Sequence, residues 1–390
     1  MKSKILQNIP KLYLMQFFSE LIFFIPIMIP FFGGLGFSMK EILMLEGAFA
    51  AMLVLFEIPS GYFSDRVGRK KTLILGTLIQ LIGLILFVFS NEYLWFFIGE
   101  LIIGIGSSLV SGTVEALIFE SLAEAKQSSK YKKIQGNIFS FARIGSLFSN
   151  ILGAMLAIIS IRLPFHLTLI TWTIWFLINL TLIEPEKHEM ESEKWQHFKR
   201  IFRETFGGNK KLGLFIVYSS IPYGFFFITF WLYQRYMEFI ELPIFYFGFV
   251  IAAMNIASII GSKYGKEIED FVGQKLCMIL LPLVAVLDWI LLANIQTFWA
   301  IPFLTITSLL WGLTMPLFYD YIQQTISNDR RATVLSIRSF FSRGIYFVFS
   351  PLLGTITDLW GIQDALLASA ILLFIFSGAS WISLRKVGVL

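Results

Sequence analysis

Apolar stretches of about 18 or more residues, bounded by charged or turn-forming clusters, recur along the whole chain. Each is long enough to predict a helix that crosses a bilayer. The predicted spans of the first half are 12–32, 42–64, 72–90, 94–122, 134–160 and 163–183. Those of the second half are 212–237, 244–264, 276–293, 298–322, 333–356 and 365–384. The longest polar segment, 184–211, lies between the two sets and reads as a linker on the membrane surface, partly an amphipathic helix. The pattern predicts a bundle at 1–183, a linker at 184–211 and a second bundle at 212–390. Lys2, Lys4 and Lys11 precede the first apolar run without a small-residue cleavage signal, so that run reads as a retained span and not a signal peptide.

Composition turns the pattern into an exclusion. Of 390 residues, 56% are hydrophobic, 15% are charged and 42 are Phe. A soluble domain carries about 25% charged residues. A soluble enzyme, a nucleic-acid binder and a disordered tail are all ruled out. The net charge of +5 then reports on loops. Of the 31 lysines and arginines, two (Lys40, Arg162) fall in one set of alternate loops and four (Arg143, Arg235, Arg338, Arg343) within spans. The rest lie on the other side, which the positive-inside rule makes cytosolic. The expectation is an all-α membrane protein of twelve transmembrane helices, in the cell membrane, with both termini cytosolic. Cys277 is the single cysteine, and His166, His188 and His197 lack metal-ligand spacing. With no phosphate loop either, no metal or cofactor is expected.

Two features stand out: an internal repeat and a charged motif between spans 2 and 3. Phe148-Ser149-Asn150-Ile151-Leu152-Gly153 in span 5 is echoed by Phe349-Ser350-Pro351-Leu352-Leu353-Gly354 in span 11, as halves related by an axis along the membrane normal would produce. Between spans 2 and 3 the chain reads Gly61-Tyr62-Phe63-Ser64-Asp65-Arg66-Val67-Gly68-Arg69-Lys70-Lys71. Gly61 and Gly68 would allow close approach and a tight turn. Asp65 suits a helix N-terminus or a cation, and Arg66, Arg69 and Lys70 suit acidic partners or lipid phosphates. This segment fits Gly-x-x-x-Asp-Arg-x-Gly-Arg-Lys, the signature of the major facilitator superfamily, and the chain resembles that family over its whole length. The resemblance implies two pseudo-symmetric six-helix bundles and a loop that latches one conformational state through a charge network. Glu120, near the same end of span 4, is the expected acidic partner of Arg66 or Arg69. Two departures set it apart from drug/proton antiporters of the superfamily. Glu100 stands where they carry an arginine in Arg-x-x-x-Gly-x-Gly, and their Gly-Pro pair in span 5 is replaced by Ser149 and Asn150.

At about 100° per residue, polar faces can be placed on the spans. Glu100, Gly104, Ser107, Ser108, Ser111 and Glu115 form one stripe of span 4, and Gln16, Ser19 and Glu20 one face of span 1. Tyr223 on span 7, Asp320 on span 10, Asn150 on span 5 and Arg343 on span 11 complete the expected cavity set. Small and hydroxyl residues also serve ordinary helix packing. A charge at mid-membrane costs several kcal/mol and marks a pathway or a structural ion pair. Glu20 is therefore the expected proton-coupling carboxylate and Arg143 its modulator. A carboxylate in a water-poor cavity binds a proton more readily than one in water, and a nearby guanidinium opposes this. Asp288, on a peripheral span, reads as structural.

These features point to a monomeric secondary transporter in the bilayer, exporting a hydrophobic or amphipathic small molecule in exchange for protons. The alternatives are uptake or facilitated transport of a metabolite and, outside transport, a lipid scramblase or membrane enzyme. No clustered catalytic residues at one membrane face support an enzyme.

Overall fold

The computed structural model describes residues 2–186, 200–325 and 331–388, with side chains described except at 2, 3, 315, 316, 319–325, 331 and 332. All regular structure among the described residues is helical. The main helices are α1 (Asn8–Ser19), α2 (Met28–Gly34), α3 (Met39–Val67), α4 (Arg69–Phe89), α5 (Tyr93–Val110), α6 (Thr113–Glu124) and α7 (Tyr131–Ile159). They continue with α8 (Leu163–Leu180), α9 (Lys210–Phe239), α10 (Ile244–Val272), α11 (Gln274–Asn294), α12 (Ile301–Thr325), α13 (Arg331–Trp360) and α14 (Ile362–Lys386). Among the described residues, nine helical segments are long and apolar enough to cross a membrane. Much of the expected linker, 187–199, lies outside the described residues.

The chain divides into two compact units, Met1–Phe31 with Ala48–Lys194, and Phe32–Gly47 with Trp195–Leu390. Within this division the first third of α3 groups with the second half of the chain.

In the first unit, the predicted span 12–32 is not one helix. It stops at Ser19, and a short 3-10 turn at Ile25–Ile27 leads into α2. Pro26 supplies the cause. It has no N–H to give residue 22, and its ring would clash with that carbonyl, so an α-helix cannot run unbroken through 22–26. The predicted span 94–122 is likewise divided at Ser111 and Gly112, where Gly112 has φ +72°. The stripe drawn through Glu100 and Glu115 is thereby interrupted: Glu100 is buried on α5 while Glu115 is exposed in the first turn of α6. Helices α4 and α5 pair closely, a Cβ on Gly76 falling 2.9 Å from the Gly106 carbonyl oxygen.

In the second unit, α10 and α12 pair in the same manner, a Cβ on Gly312 falling 2.0 Å from the Ser258 carbonyl oxygen. Such contacts are how membrane helices gain van der Waals packing without a hydrophobic driving force. Asp288 is 2% exposed and accepts a hydrogen bond from Thr307 at 2.9 Å. Tyr233 donates to Thr307 at 2.6 Å, and the Trp289 indole donates to both Tyr233 and Thr307. This buried network ties α9, α11 and α12 together. At the start of α3, the amides of Met39 and Lys40 donate to the two carboxylate oxygens of Asp358, at 2.7 and 2.9 Å. The repeated hexapeptides share a use in packing. Gly153 meets the Phe23 carbonyl and Gly354 meets the backbone of Lys40, both closer than a Cβ allows.

Candidate functional site

The signature segment folds differently from a loop. Gly61 to Val67 complete α3 and Arg69 opens α4, so Gly68 is the single non-helical residue between them. Its φ of +114° is outside the range L side chains adopt readily. Gly61, expected to permit close approach, has nothing within 4 Å of where a Cβ would stand.

Arg69 is the centre of the cluster. Its Nη1 lies 2.6 Å from Asp65 Oδ1 and also donates to Ser64 Oγ at 2.9 Å. Its Nη2 and Nε both donate to Glu120, at 2.7 and 3.0 Å to Oε1. A planar fork that satisfies two carboxylates is the geometry for which arginine is suited and lysine is not. Thr113 donates to Ser64 at 3.1 Å, which closes the network against α6. Arg66 is exposed, whereas Lys70 is half-buried with its amide engaged as follows.

Glu184 is a residue the sequence did not single out. It follows α8, and its carboxylate accepts from the Arg69 amide at 2.5 Å and the Lys70 amide at 3.0 Å. It therefore caps the N-terminus of α4, where free amides and the helix dipole favour an anion. A Cβ on residue 68 would fall 2.8 Å from the same carboxylate. Asn8, also unmarked in the sequence, donates to the Ile183 carbonyl and to Ser121, and accepts from the Ile183 amide. No local pattern announces Glu184 or Asn8, because their partners are 114 and 175 residues away. Glu184→Gln should lower thermal stability by about 1 kcal/mol, read by unfolding of the purified protein, since the cap persists without its charge.

The second cluster surrounds the break in the first span. Unwound backbone at membrane depth requires substitute partners. The Ser19 carbonyl accepts from the Trp172 indole at 3.3 Å, the Glu20 carbonyl from Ser149 at 3.0 Å and the Leu21 carbonyl from Thr171 at 3.0 Å. The Phe23 amide donates to Thr168 at 3.0 Å. Helices α7 and α8 thus hold the break open by side-chain hydroxyls and one indole. Glu20 is the residue at which α1 ends. Arg143 on α7 makes no contact ion pair with it, and its guanidinium stacks 4.7 Å from the Phe139 ring. Gln16 is half-buried one turn earlier, and Asn150 is buried 3.5 Å from Ser146 on α7. Ser108 is buried and donates within its own helix to the Ile105 carbonyl at 2.8 Å.

In the second unit, Tyr223 packs edge-on to Trp311 at 5.5 Å. Arg338 is buried with its guanidinium 5.3 Å from the Tyr223 ring and 6.0 Å from Phe318, whereas Arg343 is half-buried further along α13. Arg338 thus faces the rings of Tyr223 and Phe318. The Asp320 side chain lies outside those described. Glu46, buried on α3 at 6% exposure, is a further acidic residue that the face analysis passed over. Among the described residues no group of His, Cys, Asp and Glu could hold a metal ion.

Comparison with known proteins places these features in a family. Residues 12–351 match the family described as Major Facilitator Superfamily. The chain is 30% identical over 146 residues to the class H tetracycline resistance protein of Pasteurella multocida, covering 37% of this chain and 35% of that protein. It is 21% identical over 168 residues to the quinolone resistance protein NorA of Staphylococcus aureus, covering 43% and 42% respectively. The chain thus aligns to less than half the length of either relative. Among solved structures, the nucleoside transporter NupG superposes with a TM-score of 0.82 at 14% identity, over 98% of this chain and 99% of that one. A bacterial homologue of the human lysosomal transporter Spinster, in an inward-facing and unoccupied conformation, superposes with a TM-score of 0.78 at 13% identity, over 98% and 97%. These two likenesses concern the fold. By the extent of its family match, the chain belongs to the Major Facilitator Superfamily, a family of multi-pass membrane transporters and not of enzymes.

Proposed function

We propose that this chain is a proton-coupled exporter of hydrophobic or amphipathic small molecules, working as a monomer in the cell membrane with both ends in the cytosol. In this reading twelve spans form two six-helix bundles that alternate access to a central site. The Arg69 cluster stabilises one of the two states. The observation that carries the reading is the break in the first span. Broken helices at membrane depth belong where protein lines a cavity or pathway, and here the break starts at a carboxylate, Glu20, whose carbonyl is held by Ser149 on the helix that carries Arg143. Exchange of a proton at Glu20 would alter its attraction to Arg143 and so the relation of α1 to α7. The two resistance proteins among the relatives support the efflux direction.

The test uses inside-out vesicles holding the purified chain, with tetracycline and a fluoroquinolone as probes. An inside-acid gradient should drive probe accumulation by the wild type, and Glu20→Gln should reduce it to the level of empty vesicles. Full accumulation by Glu20→Gln would overturn the coupling assignment. A wild type that moves neither probe would overturn drug export. Uptake of a metabolite is the second reading, favoured by Glu100 and by the missing Gly-Pro pair of span 5.

A further inference from the structure

A cavity of about 520 Å³ lies in the second unit, where α9 turns into α10 beside the first turn of α12. That volume is in the range of small-ligand sites. Its walls are apolar side chains, including Leu242, Tyr246, Phe249 and Phe298, and its one ionisable carboxylate is Glu241. Tyr246 is 50% and Phe298 60% exposed, so the groove opens outward and not into the bundle. With Trp299 still more exposed, these rings form the kind of aromatic belt that sits at headgroup level.

Glu241 is placed there against local preference. The Leu242 amide donates to the Met237 carbonyl and the Glu241 amide to the Glu238 carbonyl, the hydrogen-bond pattern that ends a helix on a left-handed residue. Glycine is favoured at that position, yet Glu241 occupies it with φ +55°. The neighbouring Glu238 is neutralised by Arg235 at 2.8 Å. Glu241 has no ion pair or side-chain hydrogen bond among the described residues.

We infer that this groove is a binding site for a membrane phospholipid whose headgroup ends in a primary ammonium. The acyl chain would lie along Leu242, Phe249 and Phe298 at membrane depth, and the ammonium would donate to the Glu241 carboxylate. A primary ammonium offers N–H donors that a quaternary one lacks, and an anionic headgroup would be repelled. The site lies outside the proposed transport pathway, and its occupancy does not depend on what the protein exports.

The purified full chain is exposed to vesicles of equimolar phosphatidylethanolamine, phosphatidylcholine and phosphatidylglycerol, and retained lipid is counted by native mass spectrometry. Wild type should retain phosphatidylethanolamine over phosphatidylcholine about tenfold, as a charge-assisted hydrogen bond implies. Glu241→Gln and Glu241→Gly should both lose that preference. Glu241→Gly should unfold at or above the wild-type temperature, because glycine accepts the left-handed backbone, so misfolding cannot account for the loss. An unchanged preference in the variants, no preference in the wild type, or preference for phosphatidylglycerol would each overturn the assignment.

Discussion

Arg69→Ala should be among the most destabilising single substitutions in the chain, lowering unfolding stability by about 3–5 kcal/mol. The arginine side chain is 10% exposed, and those of its partners Asp65 and Glu120 are 16% and 14% exposed. Removing the cation leaves two carboxylates facing each other with little water to replace it. The penalty is the stranded partners, and it exceeds what the pair itself contributes. Arg69→Lys should recover only part of the loss, since an ammonium cannot form the forked contact to Glu120 while reaching Asp65. Thermal unfolding of Arg69→Ala, Glu120→Gln and the double variant provides the check. The double variant should lose less than the two single losses combined, because each removes the same interaction. Strict additivity would show that the cluster contributes nothing as a unit.

Gly153→Ala should be comparably severe for a steric reason. Its Cβ would stand 1.9 Å from the Phe23 carbonyl oxygen and 2.8 Å from the carbonyl carbon. These are backbone atoms, so no rotamer change relieves the clash. Either α7 withdraws from the broken first span or the break is displaced, at a cost of about 3 kcal/mol or more. The sign is the diagnostic. Glycine to alanine within a helix ordinarily stabilises by up to about 1 kcal/mol. Gly344→Ala, at a helical position with nothing within 4 Å, should follow that ordinary rule. If the two variants unfold at the same temperature, the break is not clamped as described.

These two sites also mark what could be read from the sequence. Spans 42–64, 72–90 and 163–183 and their neighbours were legible because long apolar runs have few alternatives in a membrane. Hydropathy was blind to the interruption at Glu20, since Leu21 to Ile25 are as apolar as any helix core. The readable signal there was Pro26, a matter of backbone chemistry. In the signature segment, Arg69 and Glu120 could be proposed as partners because both are charged at one end of their spans. Glu184 could not, as it differs in no local respect from other acidic residues of the linker. The contact of Arg338 with the Tyr223 ring was not legible either, because angular position on an isolated helix does not report which neighbouring ring a side chain meets.

The one-residue corner at Gly68 has a consequence for handling the protein. Exposed turns between elements are usually where a chain accepts an inserted tag, a label or a protease site. This one has no slack. Its two flanking helices are continuous to within a residue, its backbone is left-handed, and Glu184 occupies the amides that follow. An epitope placed at Gly68 should therefore be as damaging as one in the middle of a span. A turn that looks like an accessible linker is, in mechanical terms, a joint machined without clearance.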